Sequence, residues 1–209
     1  MGDQLNKDIA SMRKALDDDL AISQPRMPAQ PLLVAMCGLP GTGKSYFAAK
    51  LTERLPFLIL ETDRLRKVLV ERPKYTTGEH RRVFNSCYHL INHYLINGYS
   101  VLFDATNLNE EFRFYLYDIS KSTGAPLALV HATAPQDTVR RRLKERKSNR
   151  HANTYSDAGW LIYTRMIPVE EPVERDHYAL DTSKNINPVL DRVVEWAESG
   201  GKIRATNLK

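Results

Sequence analysis

Residues 32–45 read Leu-Leu-Val-Ala-Met-Cys-Gly-Leu-Pro-Gly-Thr-Gly-Lys-Ser. Leu32–Cys37 is an apolar run bounded by Pro31 and Gly38, too short for a helix and therefore a buried strand. It runs directly into Gly38-Leu39-Pro40-Gly41-Thr42-Gly43-Lys44-Ser45, followed by Tyr46 and a helical pattern with Phe47, Ala48, Leu51 and Leu55 apolar. This is G-x-x-x-x-G-K-S between a strand and a helix, the context that motif requires. Glycines let the loop turn successive N–H groups inward, and the helix N-terminus adds partial positive charge. The segment Gly38–Tyr46 is thus expected to bind a nucleoside triphosphate. Lys44 would reach the β- and γ-phosphates, and the Ser45 hydroxyl would ligate Mg²⁺. The dinucleotide fingerprint G-x-G-x-x-G is absent, because Gly41-x-Gly43 is followed by Lys44-Ser45-Tyr46.

Outward from this loop the pattern alternates. Short apolar runs recur at Phe57–Leu60, Ser100–Phe103, Leu127–Ala132 and Tyr178–Leu180. Helical patterns lie between them, including an apolar stripe over residues 77–97 and a helix from an Asn109 cap to about Lys121. A last helix opens at Asn187-Pro188 and is closed by Gly200-Gly201. Five apolar strands alternating with helices predict an α/β fold with a five-stranded parallel sheet covered on both faces.

Three features narrow a triphosphate site to a kinase. The second strand leads into Glu61-Thr62-Asp63-Arg64-Leu65-Arg66. At the sheet's carboxyl edge Asp63 can take the proton of an attacking hydroxyl or cap the following helix. Arg66, one turn on, can hold an acceptor phosphate or the transferring group. The third strand ends in Phe103-Asp104-Ala105-Thr106-Asn107, where Asp104 either meets Mg²⁺ or caps the next turn. Finally, residues 140–150 hold seven Lys or Arg against one Glu. That local +6 exceeds the net +5 of the 209-residue chain. Arg142 and Arg146 lie four apart on one helical face. With a mobile loop predicted at Asn149–Ser156 and a second helix at Asp157–Ile167, residues 140–167 read as a lid. Closing such a lid brings guanidinium groups onto the phosphates and excludes water.

In order and spacing, Gly38–Ser45, Asp63-x-x-Arg66, Asp104-Ala105-Thr106-Asn107 and Arg142-x-x-x-Arg146 resemble the AAA_33-type small ATP-binding kinases. Within these the resemblance is to the group around the polynucleotide 5′-hydroxyl kinases, with zeta-toxin-like and antibiotic-modifying kinases as relatives. The resemblance implies a P-loop NTPase fold, ATP and Mg²⁺ as cofactors, and a nucleic-acid 5′ end as acceptor. It implies that Asp63 is the general base, that Arg66 contacts the acceptor's scissile-side phosphate, and that Arg142 and Arg146 engage ATP. In the phage member a carboxylate immediately precedes Thr-Asn; here Ala105 stands there and Asp104 is one residue earlier, which leaves Asp104 for the metal. Two alternatives stay open: a kinase of a nucleotide sugar, antibiotic, sugar or nucleoside, and a regulatory protein that only binds ATP.

The resemblance covers roughly residues 31–199, and residues 31–200 are read as the kinase domain. Residues 1–30 form an amphipathic helix (Leu5, Ile9, Met12, Leu16 and Leu20) and a Pro-rich linker, and residues 201–209 a C-terminal tail. Asp17-Asp18-Asp19 disfavours a signal peptide, no apolar run reaches membrane-spanning length, and only Cys37 and Cys87 are present, so a cytoplasmic protein is expected. Both cysteines and the His89/His93 pair are read as structural. Tyr75, Arg81 and Arg82 are read either as lining an acceptor cleft or as ordinary surface.

Overall fold

All five residues of Leu33–Cys37 (β1) are buried, which is possible only if helices cover both faces of the strand. The computed structural model describes residues 2–23, 30–148 and 159–202. Besides β1 the strands are β2 (Leu58–Glu61), β3 (Val101–Asp104), β4 (Leu127–Thr133) and β5 (Tyr178–Asp181). They form one parallel sheet in the order β2-β3-β1-β4-β5, as the alternating pattern predicts. The helices are α1 (Gly2–Ser23), α2 (Lys44–Thr52), α3 (Thr62–Leu69), α4 (Thr77–Ile96), α5 (Glu110–Thr123), α6 (Gln136–Ser148), α7 (Trp160–Met166) and α8 (Asn187–Glu198).

Alternate residues of each strand feed opposite layers, because successive side chains leave opposite faces. Leu33, Ala35 and Cys37 join Leu60, Phe103, Val83, Phe84 and Ile91 in one core. Val34 and Met36 join Phe47, Leu51, Val130, Tyr178, Leu190 and Trp196 in the other. Burial pushes both the Cys37 and the Cys87 thiol up to about 12, so these are inert core residues. The expected cap at Asn109 is present, its side chain accepting from the Phe112 N–H at 3.1 Å.

The N-terminal helix lies within the same packing. Met12 and Leu16 are fully buried in the first core, and α1 packs on α3 and α4. Asp8 is buried as well and receives two bonds from Arg82 of α4, Nε at 2.5 Å and Nη2 at 2.6 Å. Arg82 therefore serves this contact and does not line the cleft described below, which corrects its reading as an acceptor residue. Among the described residues no helix is long and apolar enough to cross a membrane.

β1 has β3 on one side and β4 on the other, so the chain reverses direction across the sheet at the carboxyl end of β1. A crevice opens at such a switch point. The phosphate loop stands in it.

Candidate active site

The loop is shaped by its own backbone and by the segment after β3. The Gly38 N–H donates to the Thr106 carbonyl at 2.9 Å. A Cβ at Gly38 would lie 2.2 Å from the Ala132 carbonyl oxygen, so glycine alone allows β4 to approach this closely. Asn107 is buried with φ 43°, and its Nδ2 donates to the Met36 carbonyl at 2.8 Å. The Asp-Ala-Thr-Asn segment thus braces the loop from behind. Lys44 Nζ and Thr42 Oγ1 both donate to the Leu39 carbonyl, at 2.9 and 2.8 Å. Burial lowers the Lys44 pKa, while Asp104 and Asp63 pull it back up. Of the segment Gly38–Tyr46, Pro40, Gly41, Gly43, Lys44, Ser45 and Tyr46 line a cleft of about 1140 Å³. Leu39 instead packs its side chain into an apolar cluster beneath the lid, with Leu108, Val139, Leu143 and Tyr163.

Carboxylates gather opposite Lys44. In the β2–β3 register Glu61 pairs with Asp104, placing the two acids side by side at the sheet's carboxyl edge. Burial raises the Asp104 pKa, against the pull of Lys44 and a hydrogen bond with the Ser45 side chain. Burial, with Asp104 and Asp63 adding repulsion, pushes Glu61 up to about 7. Asp63 lines the same cleft. It does not cap α3: Glu61 holds the N-cap position, and Asp63 lies inside the first turn. Ser45 and Asp104 offer the hard oxygen donors that suit Mg²⁺. Among the described residues no group of three or more His, Cys, Asp or Glu could hold a metal ion by itself.

Across the cleft stands a second set of residues. Arg66 is buried, and its Nη1 donates to Glu79 Oε1 at 2.7 Å. Its guanidinium lies 4.9 Å from the Tyr75 ring centroid, and its buried Nε–H has no hydrogen-bond partner among the described residues. Glu79 also accepts from the backbone N–H groups of Lys74 at 2.9 Å and Tyr75 at 3.3 Å. One carboxylate therefore fixes both Arg66 and the loop before α4. Tyr75 in that loop has φ 54°, a strained conformation of the kind that clusters at functional sites.

His80 stacks on Phe84 at 4.1 Å and meets Phe112 edge-on at 4.8 Å, forming an aromatic wall of the cleft. Burial, aided by the Arg66 charge, lowers the His80 pKa from 6.5 to about 4. The folded chain resists a proton that the unfolded chain accepts, so stability falls as pH drops from about 6.5 to about 4. Denaturant midpoints measured across that window should fall less steeply in His80→Phe than in the unsubstituted protein.

The segment expected to form a lid supplies arginines, and the structure sorts them. Arg142 donates twice to Thr182, Nη1 to Oγ1 and Nη2 to the carbonyl, both at 2.8 Å. Thr182 Oγ1 in turn donates to the Thr42 carbonyl at 2.6 Å, which ties α6 to the phosphate loop. Arg146 lines the cleft, and its charge opposes that of Lys44. Arg165 of α7 lines the cleft too. The expected mobile loop 149–156 lies outside the described residues. The second lid helix, expected over Asp157–Ile167, is observed at Trp160–Met166, and its last residue belongs to a 3-10 turn, Ile167–Val169.

Glu61, Glu79 and Arg165 carry no motif spacing, which is why sequence reading passes them over. A charged residue closing β2 beside the Asp that closes β3 was the one available signal, for Glu61. Arg81 lines the cleft beside Tyr75, as expected, but Arg82 does not.

No curated protein matches the chain. Among solved structures it is similar to the Mycobacterium tuberculosis APS kinase CysC in complex with AMPPNP and APS. That match has TM-score 0.62 and 19% identity and covers 82% of this chain and 99% of that one. It is also similar to Chaetomium thermophilum Kti12 in complex with ADP-AlF3, with TM-score 0.62, 16% identity and coverage of 78% and 97%. A sugar kinase from Janibacter sp. HTCC2649 gives TM-score 0.61 and 14% identity, with coverage of 82% and 96%. At these identities the likeness establishes the fold alone, an α/β fold of the P-loop NTPase type. The AAA_33 family model (AAA domain) matches residues 33–161, a span that holds the phosphate loop, Asp63, Arg66, Asp104, Arg142 and Arg146. The chain belongs to the AAA_33 family.

Proposed function

We propose that this protein is an ATP-dependent phosphotransferase that moves the γ-phosphoryl group to a hydroxyl acceptor. The observation that carries the reading is one cleft with two differently equipped sides. Lys44, Ser45 and Asp104 face it from the phosphate loop and β3, and Asp63, Arg66 and the aromatic wall face it from α3 and α4. Asp63 takes the acceptor's hydroxyl proton as that oxygen attacks the γ-phosphorus, and the bond to the β,γ-bridging oxygen breaks to release ADP. Lys44 and the lid residues Arg142, Arg146 and Arg165 offset charge on the transferring group. When bound, Mg²⁺ would be held by Ser45 and Asp104 and would neutralise phosphate charge.

For the acceptor we favour a small molecule enclosed beneath the lid. Arg66 is already paired with Glu79, which lowers the positive charge that the acceptor side offers to a polymer's phosphates. CysC, an APS kinase, and the Janibacter sugar kinase support the same choice. A nucleic-acid 5′-hydroxyl is the second reading, favoured by Lys74 and Arg81 beside Tyr75 at the cleft. Transfer from γ-labelled ATP to a panel of metabolite alcohols and to a 5′-hydroxyl oligonucleotide decides between them. Label on the oligonucleotide alone overturns the small-molecule acceptor. Tight ATP binding with no transfer to any acceptor overturns the phosphotransferase reading in favour of a regulatory protein that only binds ATP.

A further inference from the structure

Helix α3 carries both Asp63 and Arg66, yet it spans eight residues and follows β2, the edge strand of the sheet. A helix this short does not hold itself in water, and an edge strand supports it from one side only. Its other supports are α4, to which Arg66 is tied through Glu79, and α1 on the outside. Leu65 of α3 shares the first core with the fully buried Met12 and Leu16. Arg64, the residue between Asp63 and Leu65, reaches out to α1, where Nη1 pairs with the Asp19 carboxylate and Nη2 donates to the Ala15 carbonyl at 2.8 Å. Ala15 and Asp19 are one turn apart, so both groups face the same guanidinium. Toward its other end α1 is tied to α4 through the Asp8–Arg82 pair. The eleven residue steps from Asp8 to Asp19 correspond to roughly 16 Å of helix. α1 therefore spans the outer surfaces of α3 and α4, the two helices whose inner surfaces supply Asp63, Arg66, Thr77, His80, Arg81 and Phe84 to the cleft. The family match begins only at residue 33, so this brace lies outside the region shared with the family.

We propose that α1 is a positioning element for the acceptor side of the site, acting through the contact of Arg64 with Asp19 and Ala15. The proposal rests on the phosphotransferase reading for its kinetic consequence but not for its structural one. Arg64 and Asp19 keep 26% and 34% of their side-chain exposure, so breaking the pair leaves the chain folded while releasing α3. A reacting group displaced by 1 Å can cost about 100-fold in rate. Asp19→Asn and Arg64→Met should each lower kcat about tenfold, within that bound. The KM for ATP should stay unchanged, because the phosphate loop is braced by β3 and β4 instead. The charge swap Asp19→Arg with Arg64→Asp should recover only the ion-pair part of the lost kcat, because a carboxylate at position 64 cannot donate to the Ala15 carbonyl. Unchanged kcat in the folded single variants, or a swap no better than either single, overturns the proposal. Amide hydrogen exchange separates this outcome from failure of the functional reading, since it needs no acceptor. In Asp19→Asn the amides of residues 62–69 should exchange faster, while those of β1 and β3 keep their protection. Equal exchange in α3 overturns the brace whatever the protein phosphorylates.

Discussion

Asp63→Asn is expected to lower phosphotransfer by about 100- to 10,000-fold, the range that general-base catalysis contributes. ATP affinity should not fall, because removing a carboxylate that faces Lys44 relieves repulsion of the phosphates. The geometry makes the substitution informative. Asp63 is not the cap of α3, so Asn removes charge and proton affinity without unpinning the helix. The measurement is single-turnover transfer from labelled ATP to the preferred acceptor, with binding of a non-hydrolysable ATP analogue as control. Equal rates in both proteins would sink the role of Asp63 as base. Weakened analogue binding would instead place Asp63 among the groups that hold ATP. Glu61, its neighbour in the carboxylate cluster, would be next to test if Asp63→Asn keeps its activity.

Arg113→Met is expected to cost the fold about 3–5 kcal/mol, a large share of a typical total of about 5–15 kcal/mol. The buried guanidinium of Arg113 donates to four backbone carbonyls: Asn107 at 3.1 Å, Leu108 at 3.0 Å, Glu171 at 3.3 Å and Pro172 at 2.8 Å. Its Nε also bonds Glu110 at 2.9 Å. Glu110 is 49% exposed and would regain water, so the cost comes mainly from the stranded carbonyls. Arg113→Lys should recover only part of the loss, because one ammonium cannot serve so wide a fork of acceptors. Denaturant unfolding of the two variants checks both statements; a loss below about 1 kcal/mol for Arg113→Met would show that water replaces the guanidinium. The site should feel this change. Residues 171–172 lead out of the lid, and Asn107 braces the phosphate loop through Met36, so Arg113 joins the lid's exit to the loop that holds the phosphates.

Much of this molecule was legible in local pattern. A five-residue apolar run allows one secondary structure, and glycines at fixed offsets before Lys44-Ser45 allow one kind of loop. The strand–helix alternation then requires a parallel sheet, which brings Asp63 and Asp104 to the same edge. Charge counting singled out residues 140–150, and Arg142 and Arg146 of that stretch line the cleft. These inferences hold because each depends on residues within a few positions of one another, where chain geometry leaves little choice.

Glu79, Arg113, Thr182 and Asp19 are a different case. Nothing near them in the chain marks Glu79 as the partner of Arg66, or Thr182 as the anchor of Arg142, forty residues earlier. Arg82 looked like an acceptor residue until folding carried it to Asp8, seventy-four positions away. A charged side chain takes its role from the counter-charge or carbonyl that packing delivers to it, and burial then decides how strongly it is held. Local pattern therefore established the phosphate loop, the sheet and the two acids at its edge. Packing of distant segments decided which arginines face the cleft and which are tied elsewhere, and it joined the N-terminal helix to α3.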